Sequence, residues 1–213
     1  MVNLLRAILP FMVIALLFVF TGLTLVFITD KFDLHIAINQ EIGEPANTFF
    51  KYFTHVGDGI TAVIVIIVAS LFTKNKIAMG ILGLSSLAIS GLIAQLLKRQ
   101  VFSDLLRPTG HFQNGELELI EGVDLHQAFS FPSGHSTASF ALFIFIAFAF
   151  RKYRFVQIAA GLCAILAAYS RVHISQHFVE DIVAGSCIGI IVFFFMYWVL
   201  GRIKFSKGIT INE

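Results

Sequence analysis

Apolar residues in this chain come in long blocks rather than in the alternation of a half-buried strand or the stripe of a water-facing helix. A helix needs about 20 such residues to cross a hydrocarbon core of roughly 30 Å. The blocks predict six helices, over about residues 7–29, 47–73, 77–97, 134–150, 155–171 and 178–200. The second has an uninterrupted apolar run only over residues 60–72. Its start is therefore placed upstream near Asn47, after Pro45, which carries Lys51, His55 and Asp58 toward water. Small residues in the fifth suit close helix contacts. The first block is too long for a secretory signal and no small-residue cleavage pattern follows it, so it reads as an anchor helix. No repeat, proline-rich tract or low-complexity linker divides the chain. The expected fold is an all-α, six-helix membrane bundle forming a single domain over residues 1–213.

Composition supports the bilayer as the solvent: of 213 residues, 57% are hydrophobic and only 13% charged, with a mean hydropathy of +0.86. Cys163 and Cys187 both sit inside apolar runs and lack the spacing of a disulfide framework or a metal site. Charge then sets the expected orientation. With a cytoplasmic N-terminus, the inner segments hold Arg6, Lys74, Lys76, Arg151, Lys152, Arg154, Arg202, Lys204 and Lys207 against the single acid Glu213. The other twelve acids and all seven histidines fall outside. Cytoplasmic loops are enriched in lysine and arginine, so both termini are expected in the cytoplasm of a bacterial inner membrane and the chemistry on the outer face.

Four segments stand at the outer boundary of four different helices: residues 98–108, 131–136, 170–171 and 177–181. Ionisable groups at membrane depth are costly, and a functional site is the default reading of such a cluster. His177 and Asp181 are four apart, which lets their side chains meet. A carboxylate on one imidazole nitrogen fixes the tautomer and leaves the other as a nucleophile; an ordinary interfacial ion pair is the competing reading. Pro132, Ser133, Gly134 and His135 open the fourth helix. A helix start with a proline-set entry and a glycine attracts phosphate through free N–H groups, although a plain helix cap looks the same. Arg107 and Arg171 suit bidentate contacts to phosphoryl oxygens, while the basic stretch from Lys98 also suits lipid headgroups.

Taken together and in chain order, Arg107-Pro108, then Pro132-Ser133-Gly134-His135, then Ser170-Arg171 followed after five residues by His177 and after three more by Asp181, resemble the type 2 phosphatidic acid phosphatase superfamily. The resemblance covers about residues 98–185, and the helix layout extends it over nearly the whole chain. It implies that His177 attacks phosphorus to form a phosphohistidine, that Asp181 orients it, and that His135 protonates the leaving oxygen and then activates water. It further implies that Ser133, the Gly134 N–H, Arg107, Arg171 and a lysine hold the phosphate, without metal or cofactor. One position departs from the pattern: seven residues before Arg107 stands Gln100, not lysine. Lys98 is assigned the phosphate contact in its place, with Arg99 as the alternative.

Two other readings compete. His173, His177 and Asp181 recur every four residues and would form a metal-ligand stripe on one continuous helix, but Ile174 stands where a zinc metalloprotease motif carries its glutamate. A non-enzymatic transporter or scaffold would keep a phosphate pocket and lose a motif residue; apart from the lysine offset, none is missing. The expected substrate is a phosphorylated lipid at the outer surface (an isoprenyl diphosphate, phosphatidylglycerol phosphate or phosphatidate, or a lipid A type anchor), with membrane lipids as surroundings and no nucleic acid partner. Residues 100–130, with Glu116, Glu118, Glu121 and Asp124, are long for a structureless loop and are read as a lid that selects substrate. The alternation Glu116-Leu117-Glu118-Leu119 suggests a strand or an exposed amphipathic turn.

Overall fold

The structure is a computed structural model that describes residues 2–40, 42–113 and 115–202. Lys204, Lys207 and Glu213 of the charge count lie outside the described residues. Helices α1 (Val2–Ala7) and α2 (Leu9–Ile28) open the chain, followed by α3 (Lys31–Ile38) and α4 (Glu44–Phe53). A 3-10 turn over Thr54–Gly57 leads into α5 (Gly59–Leu71), and α6 (Lys76–Leu96) runs on into a π-helical turn over Leu97–Val101. After the short α7 (Pro108–His111) come α8 (Gly134–Ala149), α9 (Arg154–His173) and α10 (Val179–Leu200). No strand occurs among the described residues.

Among the described residues, four helices are long and apolar enough to cross a membrane: α2, α6 with its π turn, α9 and α10. A fifth joins them if α4 to α5, bent by 66° at the break, counts as one span. The chain is an integral membrane protein, and the side chains it turns outward are what a lipid-facing surface requires, with Phe27 85% and Phe155 80% exposed. α8 is shorter, at 16 residues. It is enclosed by α5, α6, α9 and α10, and Phe140, Phe145 and Phe148 fill the core around it.

Glycines on α10 let it approach α8 closely. A Cβ at Gly189 would sit 2.6 Å from the Thr137 carbonyl oxygen, and one at Gly185 would overlap the carbonyl oxygen of Ser133. Only a residue without a side chain permits backbones to meet in this way.

Several boundaries differ from the sequence reading. The second span is not one helix: Asp58 breaks it, since its backbone is extended (ψ 139°) between the 3-10 turn and α5. Helix α9 continues to His173, past the expected end at Arg171. Residues 31–38 form a helix that the hydropathy pattern did not show, capped by Asp30, whose carboxylate accepts from the Phe32 N–H at 2.8 Å. Residues 116–119 form no strand. The Asn39 side chain supplies instead what a partner strand would, accepting from the Glu118 N–H at 2.8 Å and donating to the Glu118 carbonyl at 3.1 Å.

Candidate active site

His177 lies in the short connection between α9 and α10, one residue before the N-cap of α10 rather than inside the helix. The connection is built tightly. Ser175 takes a left-handed conformation (φ 54°), and the N–H groups of Gln176 and His177 both donate to the Arg171 carbonyl, at 2.9 and 3.1 Å. Asp181, in the first turn of α10, reaches back over this connection. One of its oxygens, Oδ2, accepts from His177 Nδ1 at 3.1 Å, from the Phe178 N–H at 3.0 Å and from Ser130 Oγ at 2.5 Å. Both His177 and Asp181 are 1% exposed.

Burial pushes the His177 imidazole well below its ordinary value, and the positive charges of Arg107, Lys98 and Arg171 push it the same way. The ring is therefore neutral at physiological pH. Because a carboxylate only accepts, the proton sits on Nδ1 and Nε2 carries a free lone pair, the state a nucleophilic histidine requires.

The start of α8 packs against the same turn. The Ser133 N–H donates to the Asp181 carbonyl at 3.0 Å, tying α8 to α10. Ser133 Oγ caps the helix, accepting from the Ser136 N–H at 3.3 Å and from Ser136 Oγ at 2.9 Å. The N–H groups of Gly134 and His135 stand at the open helix start, where backbone donors and the helix dipole favour an anion. Beyond its chain neighbours and the backbone of its own helix, no described atom lies within 4 Å of where a Gly134 Cβ would be.

Three cations converge here. The π turn at the end of α6 turns Lys98 inward, 7% exposed, while Arg99 and Gln100 face outward. Lys98 lies within electrostatic reach of Arg107, Asp181 and Arg171. The Arg107 guanidinium donates through Nε to the Ala128 carbonyl at 3.0 Å and through Nη1 to Gln176 Oε1 at 2.8 Å. Burial lowers Arg107 from its ordinary value, and the Asp181 carboxylate opposes the shift. Arg171 donates through Nη1 to Thr54 Oγ1 at 2.8 Å and through Nη2 to Gln176 Oε1 at 3.5 Å. Cationic groups around an anion-binding helix start beside a neutral imidazole form an arrangement suited to binding and stabilising a phosphoryl group.

The structure thus brings together Lys98, Arg107, Ser133, Gly134, His135, Arg171, His177 and Asp181. His173 stands apart. Helix α9 ends at that residue, and its Nε2 pairs with Asn47 Oδ1 at 2.9 Å. The continuous helix on which a metal stripe would lie is therefore absent. Among the described residues, no group of three His, Cys, Asp or Glu side chains is placed to hold a metal ion.

Several site residues escaped the sequence reading, among them Ser130, which donates to Asp181. Asp58, expected to face water, lies 2.6 Å from His135 Nε2. Thr54 contacts Arg171, and Gln176 bridges the two arginines. Asp58 carried a signal, an acid directly before an apolar run at the depth of the motifs. Nothing in the sequence marks Thr54 or Gln176.

The PAP2 superfamily model matches residues 79–205. A phosphatidylglycerophosphatase B of Bacillus subtilis is 30% identical over 158 residues, covering 70% of this chain and 72% of that protein. A lipid A 1-phosphatase of Rhizobium etli is 39% identical over 106 residues, 49% of this chain; the chain spans 43% of that relative's own length. Among solved structures, a PAP2 type phosphatidylglycerolphosphate phosphatase from Bacillus subtilis superposes with a TM-score of 0.64 at 22% identity, covering 97% of this chain and all of the other.

Proposed function

The chain belongs to the PAP2 superfamily, and from that premise we propose that it hydrolyses a lipid-linked phosphate through a phosphohistidine intermediate, without metal. The observation that carries this reading is the buried His177–Asp181 pair, with its free Nε2 beside the α8 start and three cations. In the first step His177 Nε2 forms a bond to phosphorus as the bond to the lipid oxygen breaks, and His135 gives its proton to that oxygen. In the second step water attacks phosphorus, the P–N bond breaks, and His135 takes the proton from water. Lys98, Arg107, Arg171, Ser133 and the Gly134 N–H hold the phosphoryl oxygens, where charge accumulates in both transition states.

The substrate class follows from the setting: the site lies at one end of a membrane bundle, within reach of a headgroup. We favour phosphatidylglycerol phosphate, phosphatidate, an isoprenyl diphosphate or a lipid A type anchor, with residues 115–130 covering the site and setting the choice. We also propose that residues 1–213 form one domain of six spans, with α8 as a span enclosed by the others. The termini are placed in the cytoplasm and the site on the outer face of a bacterial inner membrane. Arg6, Arg151, Lys152 and Arg154 line a groove at the end of the bundle away from the site, the distribution that the positive-inside rule associates with the cytoplasm.

The test is phosphate release by the purified full-length protein from a panel of those lipids. His177→Ala and His135→Ala are expected to abolish release while leaving the protein folded. A covalent phosphate stable to alkali and labile to acid should be trapped on the wild type. Release retained in His177→Ala would refute the reading.

A further inference from the structure

We propose that the break in the second span is part of the catalytic apparatus, with Asp58 as the positioning residue of His135. This rests on the reaction proposed above. Asp58 Oδ1 lies 2.6 Å from His135 Nε2, and its other oxygen, Oδ2, lies 2.8 Å from His55 Nδ1, so the carboxylate is held from both sides. The same turn makes two further contacts with the site. Thr54 Oγ1 accepts from Arg171 at 2.8 Å. A Cβ at Gly57 would stand 2.8 Å from Ser139 Oγ and 3.0 Å from the His135 carbonyl, so the turn rests directly on the first turn of α8. A continuous helix would not bring these groups there; the 66° bend does.

The proposed chemistry explains why a carboxylate is needed. His135 must hold a proton before the lipid oxygen leaves, yet Arg171 from α9 and Arg107 from the segment before α7 act on it with positive charge, and His177 faces it from the α10 side. Asp58 is the carboxylate bonded to that ring, with His55 behind it. Its Oδ1 accepts a hydrogen bond from Nε2–H, leaving Nδ1 to exchange a proton with the leaving oxygen and then with water. Asp58 thus does for the acid–base histidine what Asp181 does for the nucleophile.

The experiment compares full-length wild type, Asp58→Asn, Asp58→Glu and His135→Ala by phosphate release against pH. Asp58→Asn is expected to lower kcat by about 10²-fold and to move the basic limb of the profile down by about 1 pH unit. With p-nitrophenyl phosphate, whose leaving group needs no proton, Asp58→Asn should show a burst of nitrophenolate followed by slow turnover. Asp58→Glu keeps the charge and should keep the basic limb near that of the wild type, which tests the idea even if Asp58→Asn does not fold. An Asp58→Asn profile superimposable on the wild type, or a limb displaced in Asp58→Glu, overturns the role of Asp58. Activity retained in His135→Ala instead overturns the reaction on which it rests.

Discussion

Replacing Gly185 with alanine tests whether the approach of α10 to the start of α8 sets the geometry of the site. The added Cβ would overlap the Ser133 carbonyl oxygen and lie 3.1 Å from Thr137 Oγ1 and 3.2 Å from Ser136 Cβ. The obstacle is backbone, so no flexible side chain can swing away. The Ser133 carbonyl is also committed, accepting from the Thr137 N–H at 3.0 Å and from Thr137 Oγ1 at 2.9 Å, while the Ser133 N–H holds the Asp181 carbonyl. Relief requires α10 and α8 to part by on the order of 1 Å, and a displacement of that size between reacting groups costs about 10²-fold in rate. Overpacking of this kind also destabilises by about 1–3 kcal/mol. Gly91 on α6 provides the control, because a Cβ there meets no atom within 4 Å, and Gly91→Ala is expected to stabilise by about 0.5–1 kcal/mol through helix propensity. Phosphate release and thermal unfolding of the purified variants give both quantities. Wild-type kcat and Tm in Gly185→Ala would refute the claim that this contact aligns His177 and Asp181 with the α8 start.

Asp181→Asn should fold and lose roughly 10²–10⁴-fold in kcat, because the tautomer of His177 is no longer enforced; a wild-type rate would remove Asp181 from the mechanism. Burial holds two imidazoles outside the membrane-spanning helices neutral, His177 well below 6.5 and His35 at about 4. Unfolded histidine takes up a proton below about pH 6.5, whereas these two do not, so stability is complete above that pH and is lost as pH falls below it. The melting temperature should therefore drop between pH 7 and pH 5, and less steeply in His35→Asn; a flat profile would contradict the assignment. His173→Ala should keep substantial activity and the wild type should tolerate a chelator, whereas loss in both would return the metal reading.

Much of the site was legible because topology does the work. Segments at the same ends of successive helices must reach one depth, whereas the spacing from Arg171 to His177 to Asp181 suited a turn and a continuous helix alike, and the structure shows the turn. The inward turn of Lys98 was not legible, because the π turn that rotates it past Arg99 and Gln100 leaves no mark on hydropathy. Hydropathy also averages over the break at Asp58. Residues 59–71 are apolar enough to read as the core of one span, and an acid ahead of them looks like a residue in water. Only the bend and the packing of Gly57 on α8 reveal that it faces His135. The Glu-Leu-Glu-Leu alternation left a strand and an exposed turn both open for a related reason: a strand is specified by its partner, and here the asparagine side chain at the C-cap of α3 makes both hydrogen bonds.

The segment over the site is fastened almost wholly through its main chain. Asn39 grips the backbone of Glu118, Lys51 the carbonyl of Glu121, Gln176 that of Asp124, and Arg107 those of Gln127 and Ala128. The side chains of Glu118, Glu121 and Asp124 are left exposed and take no part in the fastening. On the function proposed above, exchanging these three side chains would change the charge met by an incoming headgroup without touching a bond that holds the segment in place.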